Sequence, residues 1–230
     1  PALVYDSNAR MIADAVREVG GESLELGIAI DDELQLRDSL REGLASADIV
    51  VMSGGTSKGE GDLCYRVVSE LQNPGIVVHG VALKPGKPIC LAASNGKPVV
   101  VLPGFPTSAI FTFHEFVIPV IQAYGGRASH APTAIQTRLP MRVRSDAGRT
   151  EFLLVGLVPG EDVSGTESLP LAYPMGKGSG SVTSFSRADG FIKLEQETEL
   201  VAAGETRTAH LFSRELTPAD PLIMGSHCPG

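Results

Sequence analysis

The chain has 230 residues, of which 43% are hydrophobic and 20% charged, so it has the composition of a globular protein with one large or two modest domains. Its net charge of −8 argues against a non-specific nucleic-acid binder, which needs a basic surface. The three cysteines form no CxxC motif, and no run of about 18 apolar residues could span a membrane. We therefore expect a cytoplasmic protein without disulfides, structural zinc or a membrane anchor.

The chain begins with two amphipathic helices separated by a strand. Ser7 can cap the first helix through its hydroxyl, and Gly20-Gly21 follows its end. Residues 23–30 are predicted to form a strand. Asp31 or Asp32 then caps the second helix. The apolar face of this helix is a stripe of leucines spaced by four: Leu36, Leu40 and Leu44.

The next segments complete an α/β pattern. A fully apolar strand over 49–52 is typical of a sheet covered on both faces. A glycine-rich loop and a helix through Leu71 follow it. Two apolar runs then flank Asn95-Gly96, a strong signal for a two-residue hairpin, and a helix is predicted from about 107 to 124. This order predicts a three-layer, doubly wound α/β domain over residues 1–128.

Beyond residue 126 the pattern changes to short strands joined by turns. The predicted strands cover 134–143, 150–158, 181–185, 190–194 and 206–212. We therefore expect a small all-β domain over 129–214, with the joint in 127–132. Residues 215–230 are interpreted as a linker or the start of a truncated further domain, so the chain is interpreted as a piece of a longer one.

The loop from Met52 to Asp62 is the most informative segment, because it follows an apolar strand at the carboxyl end of the sheet. Ligands of open α/β folds bind at that edge. Backbone N–H groups, hydroxyls and a lysine there suit a phosphate. The residues concerned are Ser53, Gly54, Gly55, Thr56, Ser57, Lys58 and Gly59. The spacing matches neither a Walker loop nor a dinucleotide fingerprint, and a plain glycine-rich turn capped by Asp62 is the alternative.

Two further loops follow strand ends and are expected on the same edge. The loop Lys84–Pro88 combines two prolines with two lysines, which suits an anion clamp, although solvated surface lysines are the alternative. The loop 102–108 leads into a helix whose first-turn hydroxyls and N–H groups can bind an oxyanion. Asp31 and Asp62 can reach the same edge, where two carboxylates beside a phosphate suggest Mg²⁺. For Asp31 a helix cap is the alternative.

In their order and spacing, these segments resemble the molybdopterin molybdotransferase family, the MoeA-type enzymes. The matching segments are Tyr5-Asp6-Ser7-Asn8, the run 26–28 leading to Asp31, the loop 53–59 with Asp62, the loop 84–88, and 102–106 with Ser108. Further matches in the β region are 148–152, 178–181 and 188–190. The resemblance covers about 1–212 and implies a MoaB/Mog-like molybdopterin-binding domain followed by the family's C-terminal β domain. The family's N-terminal domains are missing, and residues 222–227 resemble the start of a fused periplasmic-binding or LysR-type module.

The resemblance implies a role in molybdenum cofactor biosynthesis, namely Mg²⁺-dependent insertion of molybdate into adenylylated molybdopterin with release of AMP. Asp31 and Asp62 would hold Mg²⁺ and support hydrolysis of the adenylate. The glycine loop and Asp6, Ser7 and Asn8 would hold the pterin and its phosphate. The remaining residues implied in substrate binding are Lys84, Pro85, Gly86, Lys87, Pro88, Pro103, Gly104, Pro106, Ser108, Arg149, Ser179 and Ser181. The implied partners are further copies of the chain, as a homodimer or larger oligomer, and an adenylyltransferase that delivers the substrate.

One residue departs from the family pattern, and two other functions stay open. The family usually has Asn between the two prolines of the third loop, whereas this chain has Phe105. A molybdopterin adenylyltransferase would share the glycine loop, but the β domain argues against it. A molybdopterin- or molybdate-sensing module of a fusion protein is the non-catalytic alternative, favoured by Phe105 and by the tail after residue 214.

Overall fold

The computed structural model describes residues 6–29, 32–54, 63–126, 133–161, 167–176 and 185–212. Those up to 126 belong to one compact unit and those from 133 onward to a second. The limits 1–128 and 129–214 stay a prediction, and the segment 215–230 lies outside the described residues. Within the described part of the chain, no helix has both the length and the apolar character needed to cross a membrane.

Helix α1 spans Ser7–Glu18 and is capped one residue earlier than predicted. Asp6 has extended backbone angles, and its carboxylate accepts the N–H groups of Asn8 and Ala9 at 3.0 Å. The predicted cap at Ser7 is therefore wrong, because Ser7 is already the first helical residue. The helix gives way to Gly20 at φ +86°, as the glycine pair predicted.

The predicted strand 23–30 is wrong over its described part, because residues 21–29 have no strand pairing. The alternating apolar residues Leu24, Leu26 and Ile28 are 59%, 41% and 73% exposed. Alternation indicates which side chains share a face, but a strand also needs a neighbour to complete its hydrogen bonds. The segment is tied to α1 by an ion pair of 3.0 Å between Glu25 and Arg17.

Helix α2 spans Glu33–Ser46 and has the predicted leucine face, with Leu36 and Leu40 buried. Of the two candidate caps, Asp32 caps the helix by accepting the N–H of Gln35 at 2.8 Å. At the other end, Lys97 Nζ donates to the carbonyls of residues 44 and 47 at 2.7 and 3.0 Å.

An ion-pair network joins α2 to helix α3, which spans Leu63–Ser69 and is followed by Glu70. Arg37 binds both carboxylate oxygens of Glu70 and also Glu33, which in turn pairs with Arg66 at 2.9 Å. The hydrogen bonds from Arg37 lower the pKa of Glu70 below its usual value.

The sheet of the first unit is mixed. It contains β1 (Val50–Ser53), β2 (Pro74–His79), β4 (Cys90–Ser94) and β5 (Lys97–Leu102) in the order β1-β5-β4-β2, while β3 (Leu83–Lys84) is a short strand in the loop before β4. Among these four strands only β1 and β5 are parallel. The predicted hairpin explains this difference from a doubly wound parallel sheet, because Asn95 and Gly96 have φ +50° and +83° and turn β4 directly into β5.

The predicted helix 107–124 is present as three continuous pieces. Helix α4 spans Pro106–Thr112, a wider π turn spans Phe113–Val117, and helix α5 spans Ile118–Tyr124. Pro119 has no N–H to donate to the preceding turn, which is a physical reason for the wider turn. Helix α1 packs against α4 within the first unit.

The second unit is all-β. Its strands are β6 (Ala134–Arg138), β7 (Val143–Arg144), β8 (Thr150–Glu161), β9 (Glu167–Pro174), β10 (Gly190–Leu194), β11 (Leu200–Val201) and β12 (Thr206–Leu211). Five of them form a closed ring, β10-β12-β6-β9-β8, with β8 pairing back to β10. Alternate residues such as Leu153, Val155, Ile192 and Leu194 form its buried core.

Two predictions for this unit need correction, and one strand was not predicted. The run 134–143 is divided into β6 and β7, because Pro140 cannot donate to a strand ladder. Strand β9 was not predicted, since Pro170 and Pro174 weaken its strand pattern. Phe185 opens a short helical turn instead of ending a strand, and 181–184 lie outside the described residues.

Candidate functional site

The loops after β1 and β5 begin side by side. Ser53 ends β1 opposite Leu102, which ends β5, and the N–H of Gly54 donates to the carbonyl of Leu102 at 3.0 Å. A Cβ placed on Gly104 would lie 3.6 Å from Cα of Gly54, so the two backbones are nearly in contact. The glycine-rich loop and the loop 103–108 therefore start from one edge of the sheet, as the sequence predicted.

The start of α1 is the third segment at this edge. The side chain of Asn8 is only 6% exposed, and its Nδ2 donates to Ser53 Oγ at 2.7 Å and to the Gly104 carbonyl at 2.9 Å. Asp6 and Ser7 lie exposed beside it. The structure thus brings together six predicted site residues that come from three distant parts of the chain.

The loop Lys84–Pro88 packs on α4 through its glycine. A Cβ on Gly86 would lie 2.5 Å from Cγ2 of Thr112 and 4.0 Å from the carbonyl oxygen of Ser108. The carbonyl of Lys87 accepts the N–H of Val81 at 2.9 Å, which fixes the loop backbone. The side chain of Lys87 is exposed, whereas that of Lys84 and the prolines on either side of Gly86 are half-buried.

The loop leading into α4 contains both buried and exposed residues. Pro103 is buried, Pro106 occupies the first turn of α4, and Ser108 is buried inside that turn. The Ser108 carbonyl accepts the hydroxyl of Thr112 at 2.7 Å. Phe105 stands at the cap position, is 62% exposed and offers no side-chain cap, in contrast to the amide usual in the family.

Several predicted site residues cannot be placed. Asp31, Gly55, Thr56, Ser57, Lys58, Gly59, Asp62, Ser179 and Ser181 lie outside the described residues, so their roles stay predictions. Arg149 belongs to the second unit and is half-buried just before β8. The turn that carries it is fixed by the N–H of Gly148, which donates to the carbonyl of Gln196 at 2.8 Å.

The predicted magnesium ligands, Asp31 and Asp62, lie outside the described residues. Within them, no group of three or more His, Cys, Asp or Glu side chains could hold a metal ion. Asp6 is engaged as the cap of α1. A magnesium site therefore depends on Asp31 and Asp62 and stays a prediction from the sequence.

Two residues at this site make contacts that were not predicted from the sequence. Asn8 was assigned to the pterin, but its described contacts are with the two loops. Thr112 was not singled out, although it is the side chain on which Gly86 packs. These three contacts join residues far apart in the chain, so no local pattern could have indicated them.

Comparison with known proteins identifies the family of the chain. Residues 1–123 match the family described as a probable molybdopterin binding domain, and the chain belongs to that family. Residues 136–212 match the MoeA C-terminal region (domain IV), so the chain is a MoeA-type protein. The resemblance drawn from the sequence and its expected fold, an α/β molybdopterin-binding domain followed by a β domain, are therefore confirmed.

Relatives and a solved structure extend the comparison. A molybdopterin molybdenumtransferase of Nostoc sp. is 32% identical over 157 residues, covering 66% of this chain and 36% of that protein. The protein of the same name from Haemophilus influenzae is 28% identical over 214 residues, covering 93% and 52%. The crystal structure of a molybdopterin biosynthesis MoeA protein from Pyrococcus horikosii matches with a TM-score of 0.75 and 37% identity, covering 93% of this chain and 49% of that one. The chain thus spans about half, or less, of the length of these proteins.

Proposed function

We propose that this protein acts in molybdenum cofactor biosynthesis as a molybdopterin molybdotransferase, inserting molybdate into adenylylated molybdopterin with release of AMP. The observation that carries the proposal is the junction of Asn8, Ser53 and Gly104, which holds together the starts of two loops predicted to bind the ligand, in the unit that matches a probable molybdopterin binding domain. The names of the Nostoc and Haemophilus relatives support the same activity.

The chemistry of this edge suits anionic substrates. Lys87 presents an exposed ammonium on a loop whose backbone is fixed, which favours an oxyanion or a phosphate. At the start of α1, the N–H groups of Asn8 and Ala9 are already used, because the carboxylate of Asp6 accepts both. We therefore assign phosphate binding to the glycine-rich loop 53–59 and assign Asp6 to the helix.

The direct test is AMP release. The purified chain is incubated with adenylylated molybdopterin, molybdate and Mg²⁺, and AMP is quantified with and without molybdate. Molybdate-dependent release of AMP together with metal-containing cofactor supports the proposal. Tight molybdopterin binding without AMP release favours the sensing module, and ATP-dependent adenylylation of molybdopterin favours the adenylyltransferase.

The magnesium requirement is part of the proposal and depends on Asp31 and Asp62. Mg²⁺ beside a phosphate would neutralise charge during hydrolysis of the adenylate. Asp62→Asn should reduce Mg²⁺-dependent turnover by orders of magnitude, because a metal ligand is lost. The thermal midpoint should change little, since Asn caps a helix almost as well as Asp. Normal turnover of Asp62→Asn would contradict the metal-ligand role and leave Asp62 with the role of a helix cap only.

The oxyanion site is tested with tungstate, a molybdate analogue, by isothermal titration. Removing one charge-assisted contact, worth about 1.5–3 kcal/mol, should weaken tungstate binding at least about tenfold in Lys87→Ala. The resemblance also assigns Arg149 to substrate binding, so we expect weaker tungstate binding in Arg149→Ala and only partial recovery in Arg149→Lys, because the planar guanidinium fork is lost. Arg41→Ala removes a cation from the exposed face of α2 and is the control for net charge.

The same proposal includes the setting of the reaction. We propose that the chain works in the cytoplasm as a homodimer or larger oligomer and receives its substrate from an adenylyltransferase. The cytoplasmic location is proposed from the sequence, whose three cysteines form no CxxC motif. Sedimentation of the chain alone tests the oligomer, and co-sedimentation with an adenylyltransferase tests the substrate donor.

A further inference from the structure

Asn8 links two loops that lie 45 and 96 positions away in the sequence. Its Nδ2 reaches Ser53 Oγ at 2.7 Å and the Gly104 carbonyl at 2.9 Å, and the residue is almost completely buried. Because Ser53 ends β1 and Gly104 follows β5, one side chain fixes both points at which the ligand loops leave the sheet.

The chemistry of these partners determines which side of the amide faces the loops. The Gly104 carbonyl can only accept, so the nitrogen of Asn8 and not its oxygen must face it. The two N–H groups are then used by Gly104 and Ser53. Oδ1 is buried and has no hydrogen-bond partner among the described residues. Within the described chain, Asn8 therefore acts through its nitrogen and acts on the loops.

We propose that Asn8 is a positioning residue, which sets the spacing of the loops after β1 and β5 and thereby shapes the pterin-phosphate site. The resemblance assigned Asn8 to direct contact with the pterin. Its burial and its two contacts instead place it behind the loops, where it acts through Ser53 and Gly104. The effect on ligand binding rests on the proposed function, whereas the effect on loop spacing does not.

The substitution Asn8→Asp changes the hydrogen-bond donor capacity of the side chain while keeping its size nearly the same. An ionised carboxylate cannot donate to Gly104, and it places a negative charge 2.9 Å from that carbonyl oxygen. A protonated carboxyl can donate to Gly104 and accept from the Ser53 hydroxyl, so it restores both links. Burial raises the pKa of such a carboxyl, which brings the change into an accessible pH range. The charged side chains nearest in the chain are Asp6 and Arg10, and the segments 50–54 and 103–112 contain no titratable residue.

Hydrogen exchange measures the spacing of the loops directly. At pH 8, Asn8→Asp should increase exchange in 103–109 by about tenfold after correction for intrinsic rates, because both links are lost. At pH 5 the exchange should return close to that of wild type. The hairpin 90–102 should exchange as in wild type at both pH values. Unchanged exchange of 103–109 at pH 8, or an equal increase in the hairpin, would overturn the positioning role.

A second variant keeps the proposal testable if Asn8→Asp fails to fold. Ser53→Ala removes one of the two links from an exposed position. It should increase exchange of 103–109 less than Asn8→Asp does, and equally at both pH values. No increase in Ser53→Ala would contradict the proposal.

Ligand binding is the second readout, with neopterin monophosphate as the probe. Asn8→Asp should bind it about tenfold more weakly than wild type at pH 8 and equally well at pH 5. Leu40→Ala, which removes a core side chain of α2, should lower stability but leave this affinity unchanged. An equal loss in Leu40→Ala would overturn the specific role of Asn8. If wild type itself does not bind the probe, the proposed function is in question, while the exchange results still decide the role of Asn8.

Discussion

Gly86 determines how the loop Lys84–Pro88 lies on α4, and Gly86→Ala is the perturbation that tests this packing. Gly86 has φ +117°, a conformation that side-chain-bearing residues rarely adopt. An added Cβ would lie 2.5 Å from Cγ2 of Thr112, which is completely buried and cannot move into solvent. The substitution therefore adds backbone strain and a steric clash at one position.

The backbone strain and the steric clash each reduce the free energy of unfolding. Backbone strain in a sparsely populated region contributes about 1–3 kcal/mol, and overpacking of a core contributes about 1–3 kcal/mol. Gly86→Ala should therefore reduce the free energy of unfolding of the first unit by about 2–6 kcal/mol. Gly96→Ala is the matched control, because Gly96 has φ +83° and no atom within 4 Å of the added Cβ. It should cost only the strain, about 1–2 kcal/mol.

A double-mutant cycle separates the clash from the strain. Thr112→Ser removes Cγ2 but keeps the hydroxyl that donates to the carbonyls of residues 108 and 109. Gly86→Ala should cost about 1–3 kcal/mol less in this background than in wild type, since the overpacking contribution is removed. The assay is urea-dependent hydrogen exchange of the hairpin 90–102, which reports opening of the first unit. The reasoning is refuted if Gly86→Ala reduces the free energy of unfolding equally in both backgrounds, or if it reduces it no more than Gly96→Ala does.

Three other outcomes are expected in the first unit. Lys97→Met keeps the apolar stem but loses two hydrogen bonds to the last carbonyls of α2, so urea unfolding should show a loss of about 1–3 kcal/mol. Asp6→Ala should destabilise α1 by about 0.5–2 kcal/mol in thermal melts, whereas Asp6→Asn should stay close to wild type. Because Arg37 lowers the pKa of Glu70, their ion pair stabilises the fold at pH values above 4.5. Wild type should therefore be more stable than Glu70→Gln above pH 4.5. This difference in stability should be lost as the pH falls through the lowered pKa of Glu70. Asp38→Asn, from an exposed pair of 3.4 Å, should show a smaller difference in the same titration.

Local patterns predicted the parts of the fold that depend on local physics. Asn95-Gly96 predicted the β4–β5 hairpin, because these residues supply the positive φ angles that a two-residue turn needs. The leucine stripe predicted which face of α2 is buried, since residues four apart share one side of a helix. The predicted cap of α1 at Ser7 was wrong by one residue, because the neighbouring residues Asp6 and Ser7 both have side chains suitable for capping.

Non-local features could not be predicted in the same way. The segment 23–30 has the composition of a strand, but strand formation depends on a partner that its own residues do not specify. Strand β9 was missed because Pro170 and Pro174 obscure its pattern, although its remaining N–H groups pair with β8. The mixed sheet follows from pairing order, which only the assembled unit determines.

The location of the site depends on a single strand pairing. Among the described strands of the first sheet, β1 and β5 are the parallel pair, so their carboxyl ends point to the same edge and their loops must start together. The sequence predicted loops at strand ends but not which strands are neighbours, and so it could predict a shared edge but not the contact of Gly54 with Gly104. That contact brings Ser53 and the Gly104 carbonyl within reach of one buried amide. The role inferred for Asn8 is therefore a consequence of the β1–β5 pairing, and a family motif alone could not have distinguished it from direct binding of the pterin.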